Sequence, residues 1–178
     1  MTSDGLWIFL VALFVGCAGC FVEGAIGLQY STRGSAIPGW SPSYHFGAGF
    51  EIDQPPHRLR VAAAVAADAG SIRTSQGRET TGIVGVEVGG DGVLLEGGPW
   101  QLRASARALV SVTTIGELAG SAGLGIARCD ERCGQAVVGL AVTRVEELDQ
   151  ATAGLGPQLR ITAPLDAKFF ARLLARRD

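Results

Sequence analysis

Lysine is nearly missing from this chain of 178 residues, in which Lys168 is the one lysine among 15 basic residues. The faces that soluble proteins turn to water are usually rich in Lys and Glu. A chain with so little lysine is therefore poorly suited to covering a large water-exposed sheet. The formal net charge of −2 likewise leaves no basic surface of the kind that binds nucleic acid.

Groups that carry chemistry are also scarce, because the chain has only two histidines, His45 and His57. The glycine-rich segments 89–92 and 154–156 precede strand-like patterns, whereas a phosphate cradle needs a helix directly after the loop. We therefore interpret both segments as turns and expect no cofactor. A zinc site needs three or four protein ligands, so two cysteines without a nearby histidine predict no metal centre.

A catalytic alternative rests on Ser43 and His45, which share one face of a predicted strand. Certain outer-membrane barrels are lipid-modifying enzymes built on a His and Ser pair, in which the nucleophile needs a base within hydrogen-bond reach. No acid that would orient His45 can be placed from the sequence. We expect a protein that is not an enzyme, with lipid modification as the alternative.

The longest apolar run, Leu6–Val15, is followed by the small residues that end at Cys20. Its length is typical of a secretory signal peptide and short for a membrane-spanning helix. We predict a signal segment over 1–20 and a single domain over 21–178, with an uncleaved anchor as the alternative. The sequence Val15-Gly16-Cys17 resembles a bacterial lipoprotein box, so Cys17 and Cys20 are candidate lipidation sites.

The exported domain retains two cysteines, Cys129 and Cys133, on either side of Asp130-Glu131-Arg132. An even pair fits an oxidising compartment, and the three residues between them fit the tip of a hairpin. We predict a disulfide whose role is to fix the turn and the register of the flanking strands.

Alternation of apolar and polar residues dominates the rest of the chain. Tyr44, Phe46 and Phe50 share one parity, and His45, Glu51 and Asp53 share the other. Because successive side chains of a strand point to opposite faces, this period indicates a two-faced strand. The pattern recurs and predicts eight strands, near 24–33, 43–53, 57–68, 80–89, 100–112, 117–128, 135–146 and 157–165.

Two segments leave the strand count open at eight or ten. Residues 93–96 could form a short strand or a bulge, and 166–177 could form a strand or an amphipathic helix. The expected connections alternate in length: tight turns at 54–56, 89–92 and 129–133, and longer ones at 34–42, 69–79 and 147–156, with 114–116 as a short exception. This alternation is typical of bacterial outer-membrane barrels.

The composition of the polar face of the strands distinguishes a membrane barrel from a soluble one. It is mostly Gly, Ala, Ser and Thr with a few opposed charges, which suits a crowded interior better than a surface in water. We predict that eight charged residues project inward and neutralise one another: Glu51, Asp53, Arg58, Arg60, Glu87, Arg103, Arg107 and Arg160. The alternative is a soluble periplasmic or lipid-anchored lipocalin-like barrel, with its apolar face inside and a small apolar ligand bound there.

On its dyad repeat, loop alternation and export segment, residues 24–176 resemble the small bacterial outer-membrane β-barrel proteins of the eight-stranded type. The resemblance implies an all-β, closed, antiparallel up-and-down barrel in the outer membrane. It also implies a plugged polar lumen, a structural, ligand-binding or adhesive role through the loops, and a monomer whose partner is membrane lipid.

Overall fold

The computed structural model describes residues 19–31, 38–53, 58–74, 77–113, 117–129, 133–147 and 150–165. These form eight antiparallel strands: β1 Cys20–Ser31, β2 Gly39–Asp53, β3 Leu59–Thr74, β4 Gly77–Gly97, β5 Trp100–Ser111, β6 Leu118–Cys129, β7 Cys133–Glu147 and β8 Gln150–Pro164. Each strand pairs with the next, and β8 pairs back with β1, so the sheet closes. The described residues contain no helix that is long and apolar enough to cross a membrane.

The predicted fold, a closed barrel of eight antiparallel strands, is confirmed. The alternative of ten strands is wrong, because residues 93–96 continue β4 past a register shift between Val93 and Leu95. The turn expected at 89–92 is wrong too. Those glycines lie inside β4 and pair with β3 and β5, and the chain turns instead after Gly97, where Gly98 has a φ of 61°.

The connections differ from the expected lengths at one end of the barrel. β3 and β4 remain paired with each other as far as Thr74 and Gly77. Most of the predicted long loop 69–79 is therefore part of these two strands. In the same way β7 and β8 stay paired to Glu147 and Gln150. Backbone pairing can continue where the apolar alternation fades, so a pattern of side chains underestimates strand length there. The tail 166–177 lies outside the described residues.

The chain enters and leaves the barrel at the same end, where the Leu165 amide donates a 2.8 Å hydrogen bond to the Cys20 carbonyl. We call this end the terminal rim and the opposite end the far rim. At the terminal rim the predicted Cys129–Cys133 disulfide is confirmed, across paired positions of β6 and β7. The Cys129 amide also donates a 2.8 Å hydrogen bond to the Pro99 carbonyl, which ties this hairpin to the β4–β5 turn.

The two faces of the sheet are opposite in character. All eight strands expose large apolar side chains outward; Val65 is 68% exposed and Phe46 is 63% exposed. The inward positions hold small residues and charged or amide side chains, including the fully buried Arg60 and Arg103. The hydrophobic parity that the sequence shows is thus the outer surface of the barrel.

Inward glycines let neighbouring strands approach closely on the inner wall. A Cβ added to Gly156 of β8 would overlap the Leu28 carbonyl of β1, and one on Gly49 of β2 would overlap the Ala63 carbonyl of β3. Ladder carbonyls cannot move aside without breaking strand pairing. Glycine is therefore required at these positions for the space it leaves.

Replacing Gly156 with Ala should destabilise the barrel by at least about 1–3 kcal/mol, the usual cost of overpacking. The new Cβ would meet the β1 backbone at the seam that closes the sheet. The measurement is the folded fraction against urea concentration, by circular dichroism, after refolding in detergent. Gly97→Ala is the matched control, because nothing lies within 4 Å of its added Cβ. Equal stability of the two variants would contradict this packing.

Candidate functional site

Buried charges fill two levels of the barrel interior. The rim cluster lies near the terminal rim and contains Glu51, Arg60, Asp91, Gln101, Arg103 and Gln135. The middle cluster lies deeper and contains Glu23, His45, Asp68, Glu87, Arg107 and Arg160. Each cluster draws inward positions from several strands, so strand register decides which side chains meet.

Asp91 is the centre of the rim cluster. Its carboxylate accepts hydrogen bonds from Arg60 Nε at 3.0 and 3.2 Å, and a further one from Arg103 Nε. Arg60 Nη1 donates to the Cys133 carbonyl at 3.0 Å, and Glu51 lies 3.7 Å from the same nitrogen. A buried charge is tolerated when it is paired and hydrogen-bonded, and Asp91 satisfies two guanidinium groups at once.

Two amides complete the rim cluster. Gln135 Oε1 accepts a hydrogen bond from Arg60 Nη2, and Gln101 Oε1 accepts one from Arg103 Nη1. All these side chains are buried, so the cluster forms a cross-link inside the barrel wall rather than a lining open to water.

Two arginines hold the carboxylates of the middle cluster from one side. Arg160 Nη1 lies 3.3 Å from Glu87 Oε1 and 3.5 Å from Glu23 Oε2. Arg107 Nε lies 3.7 and 3.8 Å from the same two oxygens. Each glutamate therefore has one oxygen directed to the arginines and one oxygen directed elsewhere.

His45 lies on the other side of these glutamates. Its Nε2 is 3.5 Å from Glu23 Oε1 and 3.6 Å from Glu87 Oε2, and its Nδ1 is 2.9 Å from Asp68 Oδ1. The side chains of His45 and Glu23 are completely buried, whereas that of Asp68 keeps 19% exposure. An imidazole is thus fixed between one carboxylate at Nδ1 and two at Nε2.

Most of the eight charged residues predicted to face inward do so. Glu51, Arg60, Glu87, Arg103, Arg107 and Arg160 are all buried in the interior. Arg58 is a correction: it precedes β3 at the terminal rim, its side chain is 73% exposed, and it lies 3.6 Å from Glu96. Arg58 lies two residues before the inward-facing Arg60, so the alternation predicts that it also faces inward. It lies just before β3 begins, however, and is not enclosed by the barrel. The Asp53 side chain lies outside what the structure describes.

Four charged or titratable members of the two clusters were missing from the predicted set: Glu23, His45, Asp68 and Asp91. Glu23 is absent from the predicted inward-facing set because the first strand was predicted to start at 24. Asp91 is absent from it because its segment was predicted to be a turn. Asp68 and His45 have inward parity in the sequence. Their contact across β2 and β3 depends on register, which the parity does not give.

The alternative pairing of Ser43 with His45 finds no support in the geometry. Both residues are buried on the inner face, but Ser43 Oγ makes no hydrogen bond to any described residue. The two His45 nitrogens face carboxylates instead. A nucleophile needs its base within hydrogen-bond reach, and this pair does not meet that condition.

Fold and interior together define a class: a small closed β-barrel, apolar outside and ion-paired inside, which is the arrangement of barrels that cross membranes. The sequence matches no protein-family model and no curated protein. Among solved structures it is similar to Neisserial surface protein A (NspA), with 11% identity and a TM-score of 0.45, over 81% of this chain and 97% of that one. At this level of similarity the match adds nothing to the argument from the two faces.

Proposed function

We propose that this chain is a non-enzymatic, integral β-barrel of the bacterial outer membrane. The observation that carries the proposal is the outer surface, where all eight strands expose Leu, Ile, Val, Phe or other large apolar side chains. Water-soluble monomers rarely expose contiguous apolar surface on this scale. A closed barrel also has no unpaired strand edge, which is what the interior of a lipid bilayer demands.

The interior argues against the alternative of a lipocalin-like carrier. Such a carrier needs an apolar cavity and a polar exterior. Here Glu23, Arg60 and Arg103 are among the most deeply buried side chains, and the apolar parity faces outward. An apolar ligand inside the barrel would have to replace paired charges.

The two charged clusters support a plugged lumen. Eight-stranded barrels have interiors that side chains largely fill, and here arginines cross-link carboxylates at two levels. We therefore assign any structural, ligand-binding or adhesive role to the connections, not to a pore. The longest paired strands, β3 and β4, stay paired up to Thr74 and Gly77 at the far rim.

The proposal requires export, for which the apolar segment within 1–20 is the candidate signal. Residues 1–18 lie outside the described residues, and β1 begins at Cys20, which is buried. Lipidation at Cys17 or Cys20 stays a prediction. The proposal also includes a monomer surrounded by lipid, since closure leaves no edge strand for pairing with another copy.

Membrane extraction and bilayer conductance test this function together. We expect the mature chain to stay in the outer-membrane fraction after carbonate and urea washes, and to migrate differently on a gel before and after boiling. Purified protein added to a planar bilayer should give no stable channels. A chain that is monodisperse in buffer without detergent would overturn the membrane assignment, and steady ohmic conductance would overturn the plugged lumen.

A further inference from the structure

We propose that Glu23, His45 and Glu87 bind a divalent transition-metal ion, with Zn²⁺ as the best fit. Each residue offers one ligand atom, and these three atoms lie within 4.8 Å of one another. The residues come from β1, β2 and β4, so the site exists only in the closed barrel. Because it lies in the interior, the proposal does not depend on what surrounds the barrel.

The separations of His45 Nε2 from the two glutamate oxygens match tetrahedral zinc. With bonds to oxygen and nitrogen of about 2.0–2.2 Å, ligand atoms of a tetrahedral site lie about 3.3–3.6 Å apart. His45 Nε2 is 3.5 Å from Glu23 Oε1 and 3.6 Å from Glu87 Oε2. These distances are too long for good hydrogen bonds and suit atoms that share a cation.

Two of the three ligand atoms lack a hydrogen-bond partner among the described residues. Glu23 Oε1 and His45 Nε2 are both buried, and neither makes a hydrogen bond within the part of the chain that the structure describes. A buried polar atom without a partner is costly, and the cost explains why such atoms are rare in folded proteins. A metal ion between them would satisfy both atoms at once.

The residues around the ligands are arranged as in known metal sites. Asp68 holds His45 Nδ1 at 2.9 Å, which fixes the ring and leaves Nε2 for the ion. Arg107 and Arg160 hold Glu23 Oε2 and Glu87 Oε1, the oxygens directed away from the proposed ion. With His45 neutral, as a metal ligand must be, three carboxylates against two guanidiniums leave one excess negative charge, which a bound cation would balance.

The far-rim side of the site is its less tightly filled side. Asp68 keeps part of its side chain exposed, and a small cavity borders Asp68, Ser43 and Gln29. The sequence-based expectation of no zinc site was argued from the cysteines. It could not include Glu23 and Glu87, which lie 22 and 42 residues from His45 along the chain and meet it only through strand register.

Zinc binding to the refolded full-length protein in detergent tests the proposal. We expect one Zn²⁺ per chain by competition with a chromophoric zinc chelator, and protection against thermal unfolding that a stronger chelator reverses. His45→Gln and Glu87→Gln should each lower the affinity at least 100-fold, and Asp68→Asn should lower it roughly 10–100-fold. His57→Gln is the matched control and should leave the affinity unchanged.

Folding is checked separately for every variant by its gel migration before and after boiling. If a folded wild-type chain binds no zinc, the three groups share a proton instead and the proposal is wrong. It is equally wrong if folded His45→Gln retains wild-type affinity, since the bound ion would then lie elsewhere. Glu87→Gln provides the same test if His45→Gln fails to fold.

Discussion

Asp91→Asn is expected to destabilise the barrel by about 3–5 kcal/mol, the cost of breaking a buried ion pair by removing one partner. The substitution keeps the shape of the side chain but removes the carboxylate between Arg60 and Arg103. Both guanidinium groups are buried, so water cannot replace the lost charge. The measurement is the urea midpoint for unfolding of the protein reconstituted in lipid vesicles.

Glu96→Gln is the matched control, because it also removes a carboxylate that faces an arginine. The Glu96 and Arg58 side chains are 42% and 73% exposed, so the loss should stay within about 1 kcal/mol. Adding Arg103→Met to Asp91→Asn should recover part of the stability, since it removes one of the two buried guanidinium charges that faced Asp91. Equal losses in Asp91→Asn and Glu96→Gln would show that the rim cluster contributes no more than a surface pair.

Val65→Arg is expected to destabilise the folded barrel in lipid vesicles by about 2–4 kcal/mol, as for arginine near the middle of a bilayer. Val65 is 68% exposed on the outer face and lies halfway along β3, between Ala48 and Val86. On a barrel in water, arginine at so exposed a position would be harmless. The loss should appear in the urea midpoint.

Leu59→Arg provides the depth control, because Leu59 is 67% exposed but begins β3 at the terminal rim. There the arginine head can reach the membrane interface, and we expect a loss of only about 0–1 kcal/mol. A large difference between the two variants locates the bilayer on the barrel. The same small effect at both positions would mean that the outer face does not contact lipid.

The strand period was predictable because it is local. Alternation at a spacing of two residues shows directly in Tyr44, Phe46 and Phe50, and it indicated both the barrel and the inward parity of Glu51. The same local reasoning failed at glycine, which is common in turns but also occurs inside strands where the backbones of neighbouring strands approach closely. Gly89 and Gly90 look like a turn in sequence, but they provide space inside β4, and that error removed Asp91 from the predicted interior.

The two-faced strands and the arginine-rich character of one of their faces follow from the sequence, whereas the choice of eight strands over ten and of which face lies inside needed the closed sheet. Which charges meet depends on the folded barrel. Arg60 and Asp91 are 31 residues apart, and Arg160 and Glu87 are 73 apart, so their contact depends on the register of each pair and on closure. The folded barrel also decides that Arg58 lies beyond the wall and that His45 faces Glu23 and Glu87. The alternation of side chains can be read from one strand, whereas a site formed by several strands depends on their register and on closure of the sheet.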